Sequence, residues 1–190
     1  MQQDAKQTDE SLAEALQRGE SAALEELVAR HYDALTGYLY RLLHGDRSLA
    51  QDMVQETFLR ALRGIRLYQP ARPFKPWLYA IATNLARDHY QRADTRRTEA
   101  MPEADDSQPA LANAFTGDER LIAQEEAREV MASLASLPNA QREVLILHFY
   151  QDLPLAAIAE TLDIPLGTVK SRLFNGVARL RERMVSDERR

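Results

Sequence analysis

Asp163-Ile164-Pro165 splits the C-terminal stretch LPLAAIAETLDIPLGTVKSRLFNGVARLRERM (153–184) into two amphipathic halves, and this interruption constrains the fold more than any other feature of the chain. Leu155, Ile158, Ala159 and Leu162 recur at helical spacing, so the first half reads as a helix with one buried face. Pro154 suits its first turn, where a missing N–H costs nothing. Asp163 tolerates the left-handed backbone that so sharp a turn often needs. A second helix starts near Leu166, with Val169, Leu173 and Leu180 inward and Lys170, Ser171, Arg172 and Arg179 free to point outward. Two helices joined in this way form a helix-turn-helix, and in DNA-binding versions early residues of the second helix enter the major groove. Similar helix pairs also occur as plain packing in helical domains, so the rest of the chain must decide between the two.

The chain has 190 residues, enough for one large or two small domains, and 45% of them are hydrophobic, enough for real cores. It contains no Cys, which excludes a disulfide framework and Cys-based zinc sites. The opening MQQDAKQTDES is polar and acidic, unlike a signal or transit peptide. No apolar run approaches the length of a membrane span, so the expectation is a cytoplasmic protein with no membrane insertion. The four His are scattered without metal-ligand spacing, and there is no Gly-rich phosphate loop. No catalytic residues, metal or cofactor are therefore expected, and the chain reads as a non-enzyme.

Net charge is −5, unusual for a DNA binder, but it is unevenly distributed. Residues 1–29 carry −5, residues 30–97 carry +6, residues 98–130 carry −7 and residues 131–190 carry +1. A basic block and a near-neutral block thus flank an acidic strip. This is either ordinary solvated surface or the mark of a chain that binds DNA weakly alone and borrows affinity from a partner.

The predicted fold is all-α: two small helical domains joined by a flexible acidic linker. Residues 1–19 read as an acidic tail, 20–95 as the first domain, 96–117 as the linker and 118–186 as the second domain. In the first domain Leu24, Leu27, Val28, Leu35, Leu39 and Leu42 form one helical stripe that Gly45-Asp46-Arg47 closes. Ser48 with Gln51 is a capping-box pattern for the next helix, whose apolar face is Met53, Val54, Phe58, Ala61, Leu62 and Ile65. Two prolines make residues 68–73 a loop, and a third helix runs from about Pro76 to Arg92. In the second domain one helix is expected up to Pro138, another from Arg142 to Tyr150, and then the helix-turn-helix.

The third helix places Leu78, Ile81, Ala82 and Leu85 on a core face. Trp77, Ala80, Asn84, Asp88 and Gln91 share an adjacent face flanked by Arg87 and Arg92, with Tyr68 and Phe74 in or beside the preceding loop. Aromatics that stack on bases, an Asn that reads a base edge and Arg that holds phosphate would suit unstacked nucleotides. A lone Trp in a helical domain is, by burial habit, as readily a core residue.

Together DMVQETFLRAL (52–62), RPFKPWLYAIATNLARDHYQR (72–92) and LPNAQREVLILHFYQDLPLAAIAETLDIPLGTVKSRL (137–173) resemble the sigma-70 superfamily of bacterial transcription initiation factors, in its compact extracytoplasmic-function (ECF) form. The resemblance implies a sigma region 2-like domain and a sigma region 4-like helix-turn-helix domain. It implies docking on core RNA polymerase through Asp52, Gln55, Glu56 and Leu59, whose spacing puts them on one side of a helix. It implies promoter DNA as the other partner. Tyr68, Phe74, Trp77 and Asn84, with Arg87 and Arg92, would hold the melted −10 strand, and Lys170, Ser171, Arg172, Phe174, Asn175 and Arg179 would read duplex −35. A possible anti-sigma factor is a further implication.

The chain departs from the family pattern at Phe174-Asn175-Gly176-Val177, where relatives often carry a basic run. Asn175 and Val177 stand at two usually basic positions, which should weaken phosphate contact. Gly176 costs a helix about 1 kcal/mol relative to Ala. The reading is an alternative sigma factor. Its rivals are a free-standing helix-turn-helix regulator, which should bind duplex tightly and usually as a dimer, and a sigma-like protein-binding adaptor that no longer reads DNA.

Overall fold

The computed structural model describes residues 7–97 and 128–187, all helical apart from turns and loops. In order these are α1 (Asp9–Gln17), α2 (Ala22–Leu42), α3 (Arg47–Gly64) with a 3₁₀ turn Ile65–Leu67, α4 (Phe74–Arg97), α5 (described over 128–135), α6 (Asn139–Phe149), α7 (Leu155–Leu162) and α8 (Leu166–Asp187). The stretch read as linker, 96–117, lies outside the described residues apart from the last turn of α4. The start of the helix expected up to Pro138, which the spacing of Leu121, Ala127, Val130, Met131 and Leu134 suggests, also lies outside them.

Helices α1 to α4 form one block. The stripe of α2 is buried at Leu27, Leu35, Leu39 and Leu42, and it closes on Ala50, Met53 and Val54 of α3 and Leu78, Ala82 and Ala86 of α4. The reading of residues 1–19 as a tail needs correcting. Residues 9–17 form a helix that buries Leu12, Ala13 and Ala15 against α2, with Thr8 as N-cap. The acidic composition obscured this, because a helix this short carries only one apolar stripe. Asp9 anchors it, accepting from Arg30 Nη1 at 3.0 Å and facing His31 Nε2 at 2.7 Å.

Other boundaries shift for local reasons. The N-cap of α3 is Asp46, whose carboxylate accepts from Leu49 N–H at 2.8 Å, instead of Ser48. Helix α4 begins at Phe74, since Pro76 is tolerated in a first turn. Helix α6 begins at Asn139, immediately after Pro138, and Pro154 is the N-cap of α7 rather than its first residue. Leu62, read as core, is 39% exposed.

The helix-turn-helix forms as the sequence predicts. Asp163 sits at φ 52°, ψ 52° in the left-handed region and ends α7, where Ile164 N–H donates to Ala159 O at 3.0 Å. Val169 is fully buried, while Leu173, Val177 and Leu180 pack against the core. The reason for Gly176 becomes visible here: it is buried, and a Cβ there would run into Leu145 Cδ1. The helix-propensity cost is offset by the close approach of α8 to α6.

The two blocks pack on each other, α2 against α6 and α4 against α7. Arg142, 2% exposed, is central to this junction. It donates to Leu134 O (2.8 Å), Ala135 O (3.1 Å) and Leu137 O (2.8 Å) around the end of α5. It also reaches across to Leu42 O (3.2 Å) and His44 Nε2 (2.8 Å) in the first block. One guanidinium thus satisfies carbonyls at two helix C-termini.

Candidate nucleic-acid interface

The second helix of the pair, α8, presents Lys170, Ser171, Asn175 and Arg179 to solvent, with Phe174 75% exposed among them. Arg172 is half-buried and lines a cleft toward the first block. Ser171 Oγ donates to Thr168 O at 3.0 Å, which leaves its lone pairs as its outward chemistry. Val177 does not face outward with Asn175. It packs inward because the buried stripe of α8 runs through 169, 173 and 180. A basic side chain is therefore missing from this face at Asn175, but not at Val177.

On α3, Asp52, Gln55 and Leu59 are exposed and Glu56 is half-exposed. Arg60 donates to Glu56 at 2.8 Å and, with Arg63 at 4.0 Å, holds its carboxyl below the usual range. Leu62 and Leu67, the latter 85% exposed, extend the same end of α3 as an apolar edge. Sequence reasoning missed both. Leu62 was counted with the core, and Leu67 belongs to a 3₁₀ turn where helical periodicity no longer applies.

The residues expected to hold single strand divide into two groups. Tyr68 and Phe74 are 4% and 2% exposed, so their ring faces are not available for stacking. With the half-buried Trp77 they form a mutual cluster: Tyr68 to Trp77 5.0 Å, Tyr68 to Phe74 5.6 Å and Phe74 to Trp77 5.6 Å between ring centroids. Tyr68 and Phe74 are the floor of the loop, with Trp77 half-buried beside them. Tyr68 Oη donates to Arg72 O at 2.5 Å, and burial together with the carboxylates of Glu10, Asp9 and Glu14 pushes its hydroxyl pKa up to about 12. The outward groups are Gln69, Ala71, Arg72 and Pro73 of the loop, and Asn84 and Arg92 of α4.

Asn84 opens into a cleft of 730 Å³ between the blocks, lined also by Arg87, Gln91, Glu143, Asp163 and Arg172. Arg87 is engaged there by Glu143, Nε to Oε1 at 2.9 Å and Nη2 to Oε2 at 2.6 Å, which raises its pKa further. Nearby, Gln151 is 4% exposed; it accepts from Tyr79 Oη at 2.5 Å through its side chain and from Lys75 Nζ at 2.6 Å through its carbonyl. Arg41 lies over the Tyr150 ring at 4.2 Å. None of these cross-block pairs was foreseen, because their members are separated by more than 50 residues and no local pattern marks them. Among the described residues no group of three or more His, Cys, Asp or Glu could hold a metal ion. No helix among them is long and apolar enough to cross a membrane.

A helical block with a ring-floored loop is followed by a helix-turn-helix whose second helix has an exposed outer face. Comparison with known proteins identifies the class. Residues 27–96 match the family model for Sigma-70 region 2, and residues 133–182 match that for Sigma-70, region 4. The ECF RNA polymerase sigma factor SigE of Mycolicibacterium smegmatis is 38% identical over 170 residues, covering 86% of this chain and 63% of that protein. The ECF RNA polymerase sigma factor SigW of Bacillus subtilis is 30% identical over 177 residues, covering 89% of this chain and 92% of that protein. The solved structure of CnrH in complex with the cytosolic domain of CnrY superposes with a TM-score of 0.73 at 26% identity, covering 95% of this chain and 99% of that one. The chain belongs to the ECF sigma factors of the sigma-70 family.

Proposed function

We propose that this chain works in the cytoplasm as an alternative sigma factor. It binds core RNA polymerase and directs initiation at promoters with paired −10 and −35 elements, without catalysing a reaction itself. The exposed face of α3, Asp52, Gln55, Glu56 and Leu59 extended by Leu62 and Leu67, is the polymerase-docking surface. The 68–73 loop with Asn84 and Arg92 holds the melted −10 strand, and Arg87 joins them once released from Glu143. Lys170, Ser171, Phe174, Asn175 and Arg179 read −35 duplex.

The observation that carries this reading is the exposed, in-register face of α8 behind a region 2-like block in one chain. Its thin positive charge suits a module that need not bind DNA alone. The two elements lie roughly 25 base pairs apart, about 85 Å at 3.4 Å per pair, so the docked blocks must separate for both to be held on DNA. A protein partner that keeps the blocks together would restrain initiation, the role expected of an anti-sigma factor.

The test is reconstitution with core polymerase and runoff transcription from genomic fragments. Specific transcripts that require the chain are expected, and absence of polymerase binding refutes the proposal. Asn84→Ala should lower open-complex formation while leaving polymerase affinity unchanged. Equal loss of both would remove Asn84 from the −10 surface.

A further inference from the structure

The N-terminal helix α1 lies outside the matched region 2 segment, yet it grips both ends of the 68–73 loop. Gln17 Nε2 donates to Ile65 O at 2.7 Å and to Tyr68 O at 2.8 Å, where the chain enters the loop. Glu10 Oε1 accepts from Phe74 N–H at 3.0 Å, where the chain leaves it to start α4. Positions 10 and 17 are seven apart, hence on one face of α1 and about 10 Å apart along its axis. The helix is itself fixed, by Asp9 on Arg30 and His31 and by Leu12, Ala13 and Ala15 in the core.

Among the described residues, no hydrogen bond from a neighbouring residue is seen at Tyr68 O or Phe74 N–H, the two groups that α1 serves alone. Phe74 follows Pro73, which has no side-chain acceptor to cap the first N–H groups of α4. Ile65 opens a 3₁₀ turn, where its carbonyl also accepts from Tyr68 N–H at 3.1 Å, while Tyr68 follows the turn and its carbonyl takes Gln17 Nε2. Between the two grips the loop turns Gln69, Ala71, Arg72 and Pro73 outward over the Tyr68, Phe74 and Trp77 rings. A loop held at both ends has already lost the freedom that binding would otherwise remove.

We propose that Gln17 and Glu10 are positioning residues for −10 strand capture: α1 is a clamp that holds the reading loop in its binding shape without touching DNA. This rests on the −10 reading of that loop.

The experiment uses the full chain reconstituted with core polymerase. The probe is a fluorescent single strand copied from the −10 segment of promoters that the wild-type holoenzyme selects from random duplexes. Gln17→Met and Glu10→Met should each weaken strand binding about tenfold, while core polymerase affinity and helix content stay at wild-type values. Glu10→Gln, which keeps the acceptor oxygen, should restore binding. Amide hydrogen exchange at residues 68–74 should accelerate in both Met variants and return to normal in Glu10→Gln.

Wild-type strand binding in both Met variants overturns the proposal, as does a parallel loss of polymerase affinity, which would mark a merely structural role. Unchanged amide exchange overturns the clamp whatever the DNA result. Faster exchange with a wild-type chain that captures no strand would refute the −10 reading and leave α1 as a loop clamp without that purpose.

Discussion

Glu143→Gln should loosen the two blocks and release the Arg87 side of α4. Glu143 is 5% exposed at its side chain and accepts two charge-assisted bonds, 2.9 and 2.6 Å, from Arg87, itself 31% exposed. The amide of Gln occupies the same volume but carries no charge and can accept through one oxygen only. Hydrogen bonds to charged groups contribute about 1.5–3 kcal/mol, so the docked arrangement should lose roughly that much. At 1.4 kcal/mol per decade, the docking equilibrium shifts by about 10- to 150-fold. Remaining ties at Gln151, Arg142 and Tyr150 are unaffected. Glu143 is preferable to Arg87 as the mutated partner, because Arg87 remains half-exposed and able to find water or phosphate. The chain has no Cys, so Ala29→Cys with Arg181→Cys gives a clean label pair at exposed positions of α2 and α8. Energy transfer between the labels should show a longer-distance population in Glu143→Gln, with circular dichroism unchanged. An identical distance distribution refutes the idea that this pair holds the blocks together.

Arg142→Met removes the donors to four backbone carbonyls and to His44, which should cost about 3 kcal/mol and lower the melting temperature by roughly 6–12 °C. A loss below about 4 °C in calorimetry would show that water replaces the guanidinium. His44 must be neutral to accept from Arg142, and burial with the Arg142 charge lowers its pKa from 6.5. A lowered folded value means that the unfolded chain takes up the proton first. Stability is therefore full above about pH 6.5 and declines as pH falls from there toward the folded pKa. His44→Asn, which tolerates φ 59°, should flatten melting temperature between about pH 7 and 5, and an unflattened profile refutes the assignment. Asn175→Arg should tighten −35 duplex binding and steepen its logarithmic salt dependence by about 0.9, the yield of one phosphate contact. An unchanged slope would mean that position 175 does not face the backbone.

Where local pattern decides structure, the residues announced it. Helical periodicity marked α2, α3, α4, α7 and α8, Asp163 marked the left-handed turn, and the register of α8 put Lys170, Ser171, Arg172 and Arg179 outward, of which Arg172 is half-buried. Helix periodicity assigns a side chain to a face but does not say what covers that face. Tyr68 and Phe74 illustrate the difference: their chemistry suits base stacking, yet three rings converging from the loop and α4 bury one another. Val177 and Gly176 were legible as departures from a pattern, but only the approach of α8 to α6 shows why one packs inward and the other has no side chain.

What tertiary structure alone decided are the pairings across long sequence separations: Arg142 with Leu42 and His44, Arg87 with Glu143, and Gln17 with Ile65 and Tyr68. The chain by itself determined two helical modules and the exposed outer face of α8, because burial of an apolar stripe is a local periodic requirement. It could not determine how those modules dock or what fixes the reading loop. Some of those bonds meet backbone groups left unsatisfied at helix ends, as Arg142 and Gln17 do, and others pair side chains that only packing brings together, as in Arg87 with Glu143.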